Sequence, residues 1–507
     1  MTTRSDYPLL LQPDHGLVVV VEHESGFALR VDELRHRVRV VGRLLQSQGL
    51  VRGDRVVVVA RGGADTVVVL LAVLARGLVA VPTNPGYQDG ELAHVFDDAG
   101  ARFVVETVQA RDLNSAALAR VVAERGITHF ASRALIDAAL ADHDHDHDDE
   151  DEVEEDDVVD DDDLAMIIYT SGTTGRSKGC AHTVGDLRAG IGALMELWAV
   201  GPDDVVINAL PLFHVHGLCV ALLGALWRGA RTILVDQFSP TAVVEAVRAG
   251  GTVLMTVPTM IHRLIAYVDS HVDDAAIIGR LRLVTCGSAA LAATQLEAFR
   301  AATGLTILER YGMSETLITI SNPLVGERIA GAVGRALPGT TLRVVDDELQ
   351  VQTPGMMRGY WRRKDADRDA FVDDGTGRWF RTGDAVTIDD DGVVRIVGRL
   401  SQDILKVGGY KLSTREIEEA VASHDAVVEV AVVGLPDAEW GERVCAVVVL
   451  RAGRVLDLPT LQAHVRLAQS KKPRALVVVD ALPRNALGKV QKHLVKVIAL
   501  DRNEAAL

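Results

Sequence analysis

Short, uninterrupted runs of valine, isoleucine and leucine alternate along this chain with longer segments of helical periodicity. Residues 55–60 form such a run, and a helical pattern follows at residues 64–75. Further runs occupy residues 79–82, 103–106, 205–210, 232–235 and 281–286. Strands that are apolar on both faces belong to sheets that helices cover on both sides. The pattern therefore predicts an α/β fold of layered sheets and helices, and we find no internal repeat.

A change of composition near Arg399 divides the chain into a large and a small part. The 507 residues correspond to roughly three structural units of about 150 residues each. Beyond the change, helical patterns and apolar runs alternate at residues 414–423, 427–433, 444–450, 458–468 and 475–479. We predict an N-terminal domain over residues 1–398, a hinge at residues 399–403 and a small α+β domain over residues 404–507.

Most of the net negative charge comes from one segment. The formal charge is −17, but residues 142–163 contain 16 acidic side chains and neither lysine nor arginine. The rest of the chain is therefore close to neutral, which argues against a nucleic-acid-binding face and an acidic docking face. Self-repelling charge predicts a disordered, solvated loop at residues 142–163. His143, His145 and His147 alternate with aspartates there, so metal scavenging stays open as an alternative to a plain linker.

Cysteine usage indicates a reducing compartment, and hydropathy indicates a chain without a membrane span. The four cysteines are far apart and include no CxxC pair, so we expect neither disulfides nor a zinc site. Residues 1–14 lack the pattern of a signal peptide. The most apolar stretch, residues 67–81, is interrupted by Arg76 and Gly77 and is too short to span a bilayer. We expect a cytoplasmic protein without a membrane span, and homo-oligomerisation is left open.

A loop rich in glycine, serine and threonine, residues 170–179, follows the apolar run at residues 164–169. Glycine turns and hydroxyl groups present hydrogen-bond donors to an anion, and Lys178 adds a positive charge. A Walker A loop would have glycine directly before the lysine, where this chain has Ser177. We predict a phosphate-binding loop that differs from that of P-loop ATPases. Its candidate ligands are Thr170, Ser171, Gly172, Thr173, Thr174, Gly175 and Lys178.

Residues 169–179 resemble the signature loop of the adenylate-forming superfamily of acyl-CoA synthetases, peptide-synthetase adenylation domains and luciferases. Ser177 stands where that loop usually has proline. Other segments resemble the further motifs of the family in the same order, at residues 287–291, 311–316, 380–384, 408–411 with 417–419, and 483–489. The resemblance covers most of the chain and implies a large N-terminal domain with a small, mobile α+β C-terminal lid.

The resemblance also implies roles for single residues of the nucleotide site. Tyr311 would stack on adenine, Ser314 would reach the α-phosphate, and Glu315 would hold Mg²⁺. Taken alone, Glu315 is equally typical of an acidic residue at the start of a helix. Asp384 and Arg399 would bind the ribose. The other implied nucleotide-binding residues are Gly287, Ser288, Ala289, Glu309, Arg310 and Gly312.

The implied reaction has two steps and uses ATP, Mg²⁺ and CoA on a small carboxylic acid. The acid forms an acyl-adenylate and pyrophosphate with the help of Lys489, and CoA then displaces AMP. His214 would be a gate between the acyl pocket and the CoA tunnel, or alternatively a buried core histidine. Gly408 and Gly409 would lie along that tunnel. We expect free CoA as the acceptor rather than a carrier-bound thiol.

Two other functional classes compete with the ligase. A phosphotransferase or NTPase would want a Gly-Lys-Ser/Thr sequence, which the chain lacks at its loop. An inactive nucleotide-binding module would be expected to lose Lys489, Glu315 or Asp384, and the chain has all three.

The acid is predicted from segments that resemble the malonyl-CoA synthetase branch, at residues 211–217, 257–263 and 308–323. A second carboxylate needs a cation and hydrogen-bond donors when it is buried. Arg263, with Ser288, would supply them, while Val215 and Met313 would line the acyl pocket. We therefore favour malonate or a methylmalonate-type acid. A short- or medium-chain fatty acid stays open, with Arg263 then capping its helix or pairing with an acidic side chain.

Overall fold

The structure is a computed structural model that describes residues 18–107, 115–143, 159–170, 176–407, 410–437, 440–484 and 489–504. Contacts within the chain divide it into two compact units. The first unit comprises Met1–Thr341 and Gln352–Phe380, and the second comprises Leu342–Val351 and Arg381–Leu507.

Helices are distributed over both units. The α-helices are α1 (Val31–Ser47), α2 (Ala64–Ala75), α3 (Asp89–Ala99), α4 (Ser115–Arg125), α5 (Ser132–His143), α6 (Val184–Leu197), α7 (Gly224–Trp227), α8 (Pro240–Arg248), α9 (Pro258–Val268), α10 (Val272–Ile278), α11 (Ala293–Thr303), α12 (Lys364–Ala370), α13 (Thr414–Ala422), α14 (Leu458–His464) and α15 (Lys492–Glu504). A π-helix spans His216–Leu223 and a 3₁₀ turn spans Gln469–Lys471.

The strands are β1 (Val18–Glu22), β2 (Ala28–Arg30), β3 (Arg55–Val59), β4 (Val79–Thr83), β5 (Phe103–Glu106), β6 (Thr128–Ala131), β7 (Leu164–Thr170), β8 (Lys178–Thr183), β9 (Val205–Asn208), β10 (Arg231–Leu234), β11 (Val253–Thr256), β12 (Leu283–Cys286), β13 (Leu308–Met313), β14 (Leu317–Ser321), β15 (Arg335–Ala336), β16 (Thr341–Val345), β17 (Glu348–Gln352), β18 (Gly359–Tyr360), β19 (Phe371–Asp373), β20 (Arg378–Ile388), β21 (Val394–Arg399), β22 (Ile404–Val407), β23 (Tyr410–Ser413), β24 (Val427–Asp437), β25 (Gly441–Leu450) and β26 (Ala475–Val478). Within the described ranges they form four sheets. The large sheet has the order β15-β14-β13-β12-β11-β9-β10-β1-β2, and the second sheet has the order β18-β8-β7-β4-β3-β5-β6. The middle sheet is β16-β17-β20-β19 with β21 on β20, and the C-terminal sheet is β23-β22-β25-β24 with β26 on β25.

Both faces of the second sheet are covered, as the continuous apolar runs predicted. Val56 and Val58 of β3 point into one hydrophobic core, which α2 shares, while Val57 and Val59 point into another with α3 and α4. The helix α2 contacts β1 of the large sheet as well as β3 and β4 of the second sheet. Its sequence is apolar on every side because neighbouring elements surround it. The α/β prediction is therefore confirmed.

The two compact units divide at a different place from the predicted domains. The hairpin β16–β17 and the strand β20 belong to one sheet with β21, and Asp384 on β20 lies opposite Arg399 on β21. These pairings keep residues 381–398 with the C-terminal unit, although the composition changes only near Arg399. A hinge at residues 399–403 concerns motion and stays a prediction.

The predicted disordered loop at residues 142–163 is wrong at its ends. The helix α5 includes residues 142 and 143, and the side chain of Val159 is buried. Asp161 pairs with Arg188 at 2.6 Å, and Asp163 pairs with Arg52. Neutralisation by arginines allows these acidic residues to pack. Residues 144–158, including His145 and His147, lie outside the described residues.

A buried ion network fixes α15 within the second unit. The Lys492 ammonium lies 2.5 Å from Asp403 Oδ1, 2.6 Å from Thr414 Oγ1 and 2.7 Å from Glu418 Oε1. Burial raises the pKa of Glu418, an effect that Lys492 opposes. Two carboxylates are thus held together by one cation.

We expect Lys492→Met to weaken the attachment of α15 by roughly 2–4 kcal/mol, because Asp403 and Glu418 lose their shared cation while staying mostly buried. Hydrogen exchange of the α15 amides measures this opening directly. Lys496→Met is the matched control, since Lys496 lies on the same helix and is 3.6 Å from Glu442 with 42% of its side chain exposed. Its effect should stay within about 0.5 kcal/mol. Equal exchange rates in the two variants would contradict this role of the network.

Candidate active site

The strands β7 and β8 hold the two ends of the predicted phosphate loop side by side. They pair antiparallel, with Thr170 opposite Lys178 and Tyr169 opposite Gly179. The predicted strand before the loop is confirmed and extends to Thr170. The loop residues Ser171, Gly172, Thr173, Thr174 and Gly175 lie outside the described residues, so their phosphate contacts stay predictions.

The lysine at the end of this loop lies against an aromatic ring. Lys178 Nζ is 4.5 Å from the ring centroid of Tyr360. The Tyr360 hydroxyl donates a hydrogen bond of 3.0 Å to Glu315 Oε1. Burial raises the pKa of Tyr360, and Glu315 acts in the same direction, so the phenol remains protonated. Lys178 and the predicted metal-binding carboxylate therefore share one neighbour.

Glu315 lies in the turn between β13 and β14, so the alternative of an acidic residue at a helix start is wrong. The Met357 N–H donates to the backbone oxygen of Glu315 at 2.8 Å. His182 Nε2 donates to the backbone oxygen of Ser314 at 2.6 Å. Burial lowers the pKa of His182, which keeps the ring neutral. Contacts from two other segments thus fix the turn that presents Ser314 and Glu315.

The Glu315 carboxylate fits the Mg²⁺ role that the sequence implies. It is half-buried, and the hydrogen bond from Tyr360 uses only one of its oxygens. Mg²⁺ is commonly bound by one or two carboxylates together with phosphate oxygens. Glu315 would therefore hold the ion against the phosphates of the nucleotide.

The predicted adenine turn, Gly287, Ser288 and Ala289, directly follows β12, which pairs with β13. A Cβ atom on Gly287 would lie 2.6 Å from the Cζ atom of Arg310. Ser288 has a φ of +68°, a conformation rare outside glycine and often found at functional sites. The Arg310 side chain therefore leaves no room for a side chain at residue 287. Tyr311, Gly312 and Met313 continue along β13, and Glu309 precedes them with its side chain buried.

Arg310 and His216 are both buried, and the charge of Arg310 acts on the His216 imidazole. Arg310 is 4% exposed, and its Nε and Nη2 atoms have no hydrogen-bond partner among the described residues. Both ring nitrogens of His216 also lack a partner within those ranges. Burial lowers the pKa of Arg310 to about 10, so the guanidinium keeps its charge at pH 7. Burial, then Arg310, lowers the pKa of His216 well below its usual value, which leaves the imidazole neutral.

Local backbone structure explains why His216 is buried. It begins the π-helix, and π-helical turns occur frequently at functional sites. A Cβ atom on Gly217 would lie 2.3 Å from the backbone oxygen of Pro211, so only glycine fits. Asn208 Nδ2 donates to the Gly217 backbone oxygen at 3.0 Å. Val215 is buried, and the half-buried ring of His214 packs on Phe213.

The sequence prediction chose His214 and missed His216. The signal was present, because residues 217–223 are apolar and a histidine directly before such a segment is typically buried together with it. Arg263 differs from Arg310 in its surroundings. It is exposed in the middle of α9, and its guanidinium carbon lies 4.9 Å from the ring centroid of Phe238.

The predicted ribose residues meet within the second unit. Asp384 is 4% exposed, and its Oδ1 atom lies 2.8 Å from Arg399 Nε. The Thr382 hydroxyl accepts a hydrogen bond of 3.1 Å from the Asp384 N–H, and the Thr382 backbone oxygen accepts one of 3.2 Å from Arg399 Nη1. The two side chains are thus brought together as predicted, while ribose binding stays a prediction.

Backbone hydrogen bonds join the two ends of the motif at residues 483–489, which carries Lys489. Arg484 and Val490 form an antiparallel bridge, and the Gln491 N–H donates to the Pro483 backbone oxygen at 2.8 Å. Lys489 directly precedes Val490 and is exposed. Residues 485–488 and the predicted CoA-tunnel residues Gly408 and Gly409 lie outside the described residues.

Comparison with known proteins identifies the family. Residues 12–361 match the model of the AMP-binding enzymes, and residues 416–489 match the model of the AMP-binding enzyme C-terminal domain. The chain belongs to the AMP-binding enzyme family. Its fold matches the crystal structure of ATP-bound MatB from Rhodopseudomonas palustris with a TM-score of 0.88 and 34% identity, over 98% of this chain and 100% of that one.

Curated relatives of this AMP-binding enzyme include two acid–CoA ligases. The mitochondrial malonate–CoA ligase ACSF3 of Homo sapiens is 36% identical over 88% of this chain and 83% of that protein. The sulfoacetate–CoA ligase of Cupriavidus necator is 33% identical over 96% of this chain and 94% of that protein. The chain is accordingly an AMP-forming acid–CoA ligase whose cosubstrates are ATP and CoA, with Mg²⁺. In its described part, no helix has both the length and the apolar character needed to cross a membrane.

For this AMP-binding enzyme, we expect Lys489→Ala to lower acid-dependent pyrophosphate release by about 10²–10³-fold, since one charge-assisted contact to the reacting oxygens is lost. CoA transfer from pre-made acyl-adenylate should continue. The two half-reactions are measured separately, with Lys496→Ala as the control for loss of a lysine from the same unit. Survival of both half-reactions in Lys489→Ala would show that the role of Lys489 is wrong.

Proposed function

We propose that the chain joins malonate, or a methylmalonate-type diacid, to CoA. The observation that supports this choice is the buried Arg310 guanidinium, whose Nε and Nη2 atoms have no partner among the described residues. A buried charge is strongly unfavourable unless an opposite charge and hydrogen bonds satisfy it. A substrate with a second anionic group would supply both to Arg310.

The neutral imidazole of His216 adds a hydrogen-bond donor without adding a second positive charge. A charge-assisted bond from Arg310 and a neutral bond from His216 together suit one carboxylate. A fatty acid would leave the same nitrogens buried and unsatisfied. Two relatives fit this chemistry, because the names malonate–CoA ligase and sulfoacetate–CoA ligase both describe an acid with a second anionic group.

Arg310 replaces Arg263 as the first candidate for the distal carboxylate. The Arg263 guanidinium is exposed and lies over Phe238, so water already solvates its charge. Arg310 has no such solvation, and an anion therefore gains more from binding to it. Arg263 stays a second candidate, with Ser288 as its proposed neighbour and Val215 and Met313 lining the acyl pocket.

In the proposed first step, an oxygen of the reacting carboxylate attacks the α-phosphorus of ATP and the bond to pyrophosphate breaks. Lys489 neutralises the approaching oxygens, and Lys178 binds the outer phosphates. Ser314 donates to the α-phosphate, while Glu315 holds Mg²⁺. Because two anions must meet, charge neutralisation and positioning supply most of the rate enhancement.

In the proposed second step, the CoA sulfur attacks the acyl carbon and loses its proton, and AMP leaves with the electrons of the broken acyl–oxygen bond. His214 is proposed as the gate between the acyl pocket and the incoming thiol. Gly408 and Gly409 are proposed to line the path of the CoA arm, where a side chain would narrow it.

We expect CoA-dependent AMP formation to be fastest with malonate or methylmalonate in a panel that includes acetate, butyrate and succinate. Arg310→Met should lower kcat/KM for malonate by about 30-fold to several thousand-fold, because a buried charge partner is lost. It should lower the value for butyrate far less. Arg300→Met is the control, since Arg300 is exposed and pairs with Glu297.

Two outcomes of this panel separate the alternatives. A preference for butyrate in the unmodified enzyme would contradict the diacid proposal and favour a fatty acyl-CoA synthetase. An equal loss on malonate and butyrate in Arg310→Met would assign Arg310 to the nucleotide, as the family resemblance implies. The same comparison with Arg263→Met shows which arginine distinguishes the acids.

We also propose a cytoplasmic location. All four cysteines are buried and form no disulfide, which is typical of a reducing compartment. The human relative is named a mitochondrial enzyme. Fractionation of the native cells with an antibody to this chain tests the proposal, and enrichment in an organelle or a secreted fraction would contradict it.

A further inference from the structure

The sequence motifs assigned Tyr360 no role in the nucleotide, acyl or CoA site, yet its position is closely fixed. It is 8% exposed and lies on β18, which pairs with β8 so that Tyr360 faces Cys180. Its N–H donates to Asp367 Oδ1 at 2.7 Å. A Cβ atom on the preceding Gly359 would lie 2.7 Å from Asp367 Oδ2. The backbone therefore holds the phenol in one place.

The two ends of this side chain have different neighbours. The hydroxyl donates to Glu315 Oε1 at 3.0 Å, and the ring centroid lies 4.5 Å from Lys178 Nζ. The hydrogen bond occupies one lone-pair direction of the carboxylate and leaves the others for a metal ion. The face of an aromatic ring attracts an ammonium group without neutralising its charge. Both charged groups are thus oriented and remain available to a ligand.

We propose that Tyr360 is a positioning residue that aligns Glu315 with Mg²⁺ and Lys178 with the phosphates of ATP. Glu315 lies in the turn after β13 of the large sheet, whereas Lys178 begins β8 of the second sheet. Tyr360 contacts both residues, so one side chain orients two charged groups that belong to different sheets. The proposal rests on the role of Glu315 as the magnesium carboxylate.

Tyr360→Phe removes the hydroxyl and keeps the ring. We expect the Mg²⁺ concentration for half-maximal acid-dependent ATP–pyrophosphate exchange to rise about 10–100-fold, the usual effect of losing a hydrogen-bond partner of a metal-binding carboxylate. Without turnover, calorimetry should show weaker binding of ATP in the presence of Mg²⁺. Binding of ATP in EDTA should change less than about twofold, because Lys178 still has the ring.

Tyr360→Leu removes the ring as well, and ATP binding in EDTA should then weaken too. Tyr267→Phe is the matched control. The Tyr267 hydroxyl donates to Asp274 at 2.7 Å, and neither residue belongs to the proposed site. This control should leave all three measurements unchanged. In both Tyr360 variants, CoA transfer from pre-made acyl-adenylate should proceed at the unmodified rate, since that step uses no metal-bound triphosphate.

A Tyr360→Phe enzyme with unaltered Mg²⁺ dependence would overturn the proposal, even if its melting temperature fell. Glu315→Gln distinguishes this failure from a failure of the underlying assignment. If Glu315→Gln raises the Mg²⁺ requirement and Tyr360→Phe does not, only the role of Tyr360 is wrong. If neither variant alters it, Glu315 is not the magnesium carboxylate. In the Glu315→Gln background, the effect of Tyr360→Phe should disappear, because the two residues act as a pair.

Discussion

The antiparallel pairing of β7 with β8 is the contact on which the nucleotide site depends. It sets Thr170 opposite Lys178, so the two ends of the predicted phosphate loop lie side by side. The same strand β8 pairs with β18 on its other edge, which brings Tyr360 next to Lys178. Backbone hydrogen bonds fix the register of β8 against both β7 and β18. The side chains of Lys178 and Tyr360 are therefore held more precisely than side chains on a flexible loop would be. A shift of either strand by one residue would turn these side chains to the opposite face.

The proposed acyl site depends on a different constraint, the burial of charge. Arg310 lies at 4% exposure beside a glycine that has no room for a side chain. Two of its nitrogens have no partner in the part of the chain that the structure describes, which destabilises the folded protein, and burial lowers the pKa of Arg310 to about 10. If Arg310 binds the second carboxylate as proposed, a substrate anion would offset this cost. The folded protein should then be more stable with a diacid bound than without one.

The periodicity of the sequence predicted the layered fold because its strands are apolar on both faces. Val56 and Val58 face one core while Val57 and Val59 face another, and that arrangement leaves a continuous apolar run. Motif resemblance assigned Asp384 and Arg399 to one ribose site, and the structure shows that their side chains form an ion pair. The unit boundary was not predicted, because the pairing of β20 with β21 is a long-range contact that composition does not reveal. The ordered acidic residues 160–163 were missed for the same reason, since their arginine partners are distant in sequence.

Tyr360 and His216 show what limits such predictions most. A histidine at the start of an apolar segment is typical of a core position, whereas Tyr360 lies in a segment with arginines on both sides, and both side chains are buried. Their proposed roles depend on the polar groups around them. Tyr360 donates a hydrogen bond to Glu315, which comes from a separate turn, and His216 begins a π-helix that no periodicity predicts. A buried polar group is costly unless it is satisfied, so an unsatisfied or bridging one in a well-packed core points to a ligand or to a charged neighbour. The structure shows which buried polar groups have hydrogen-bond partners and which have none among the described residues, whereas the amino-acid pattern indicates only their burial.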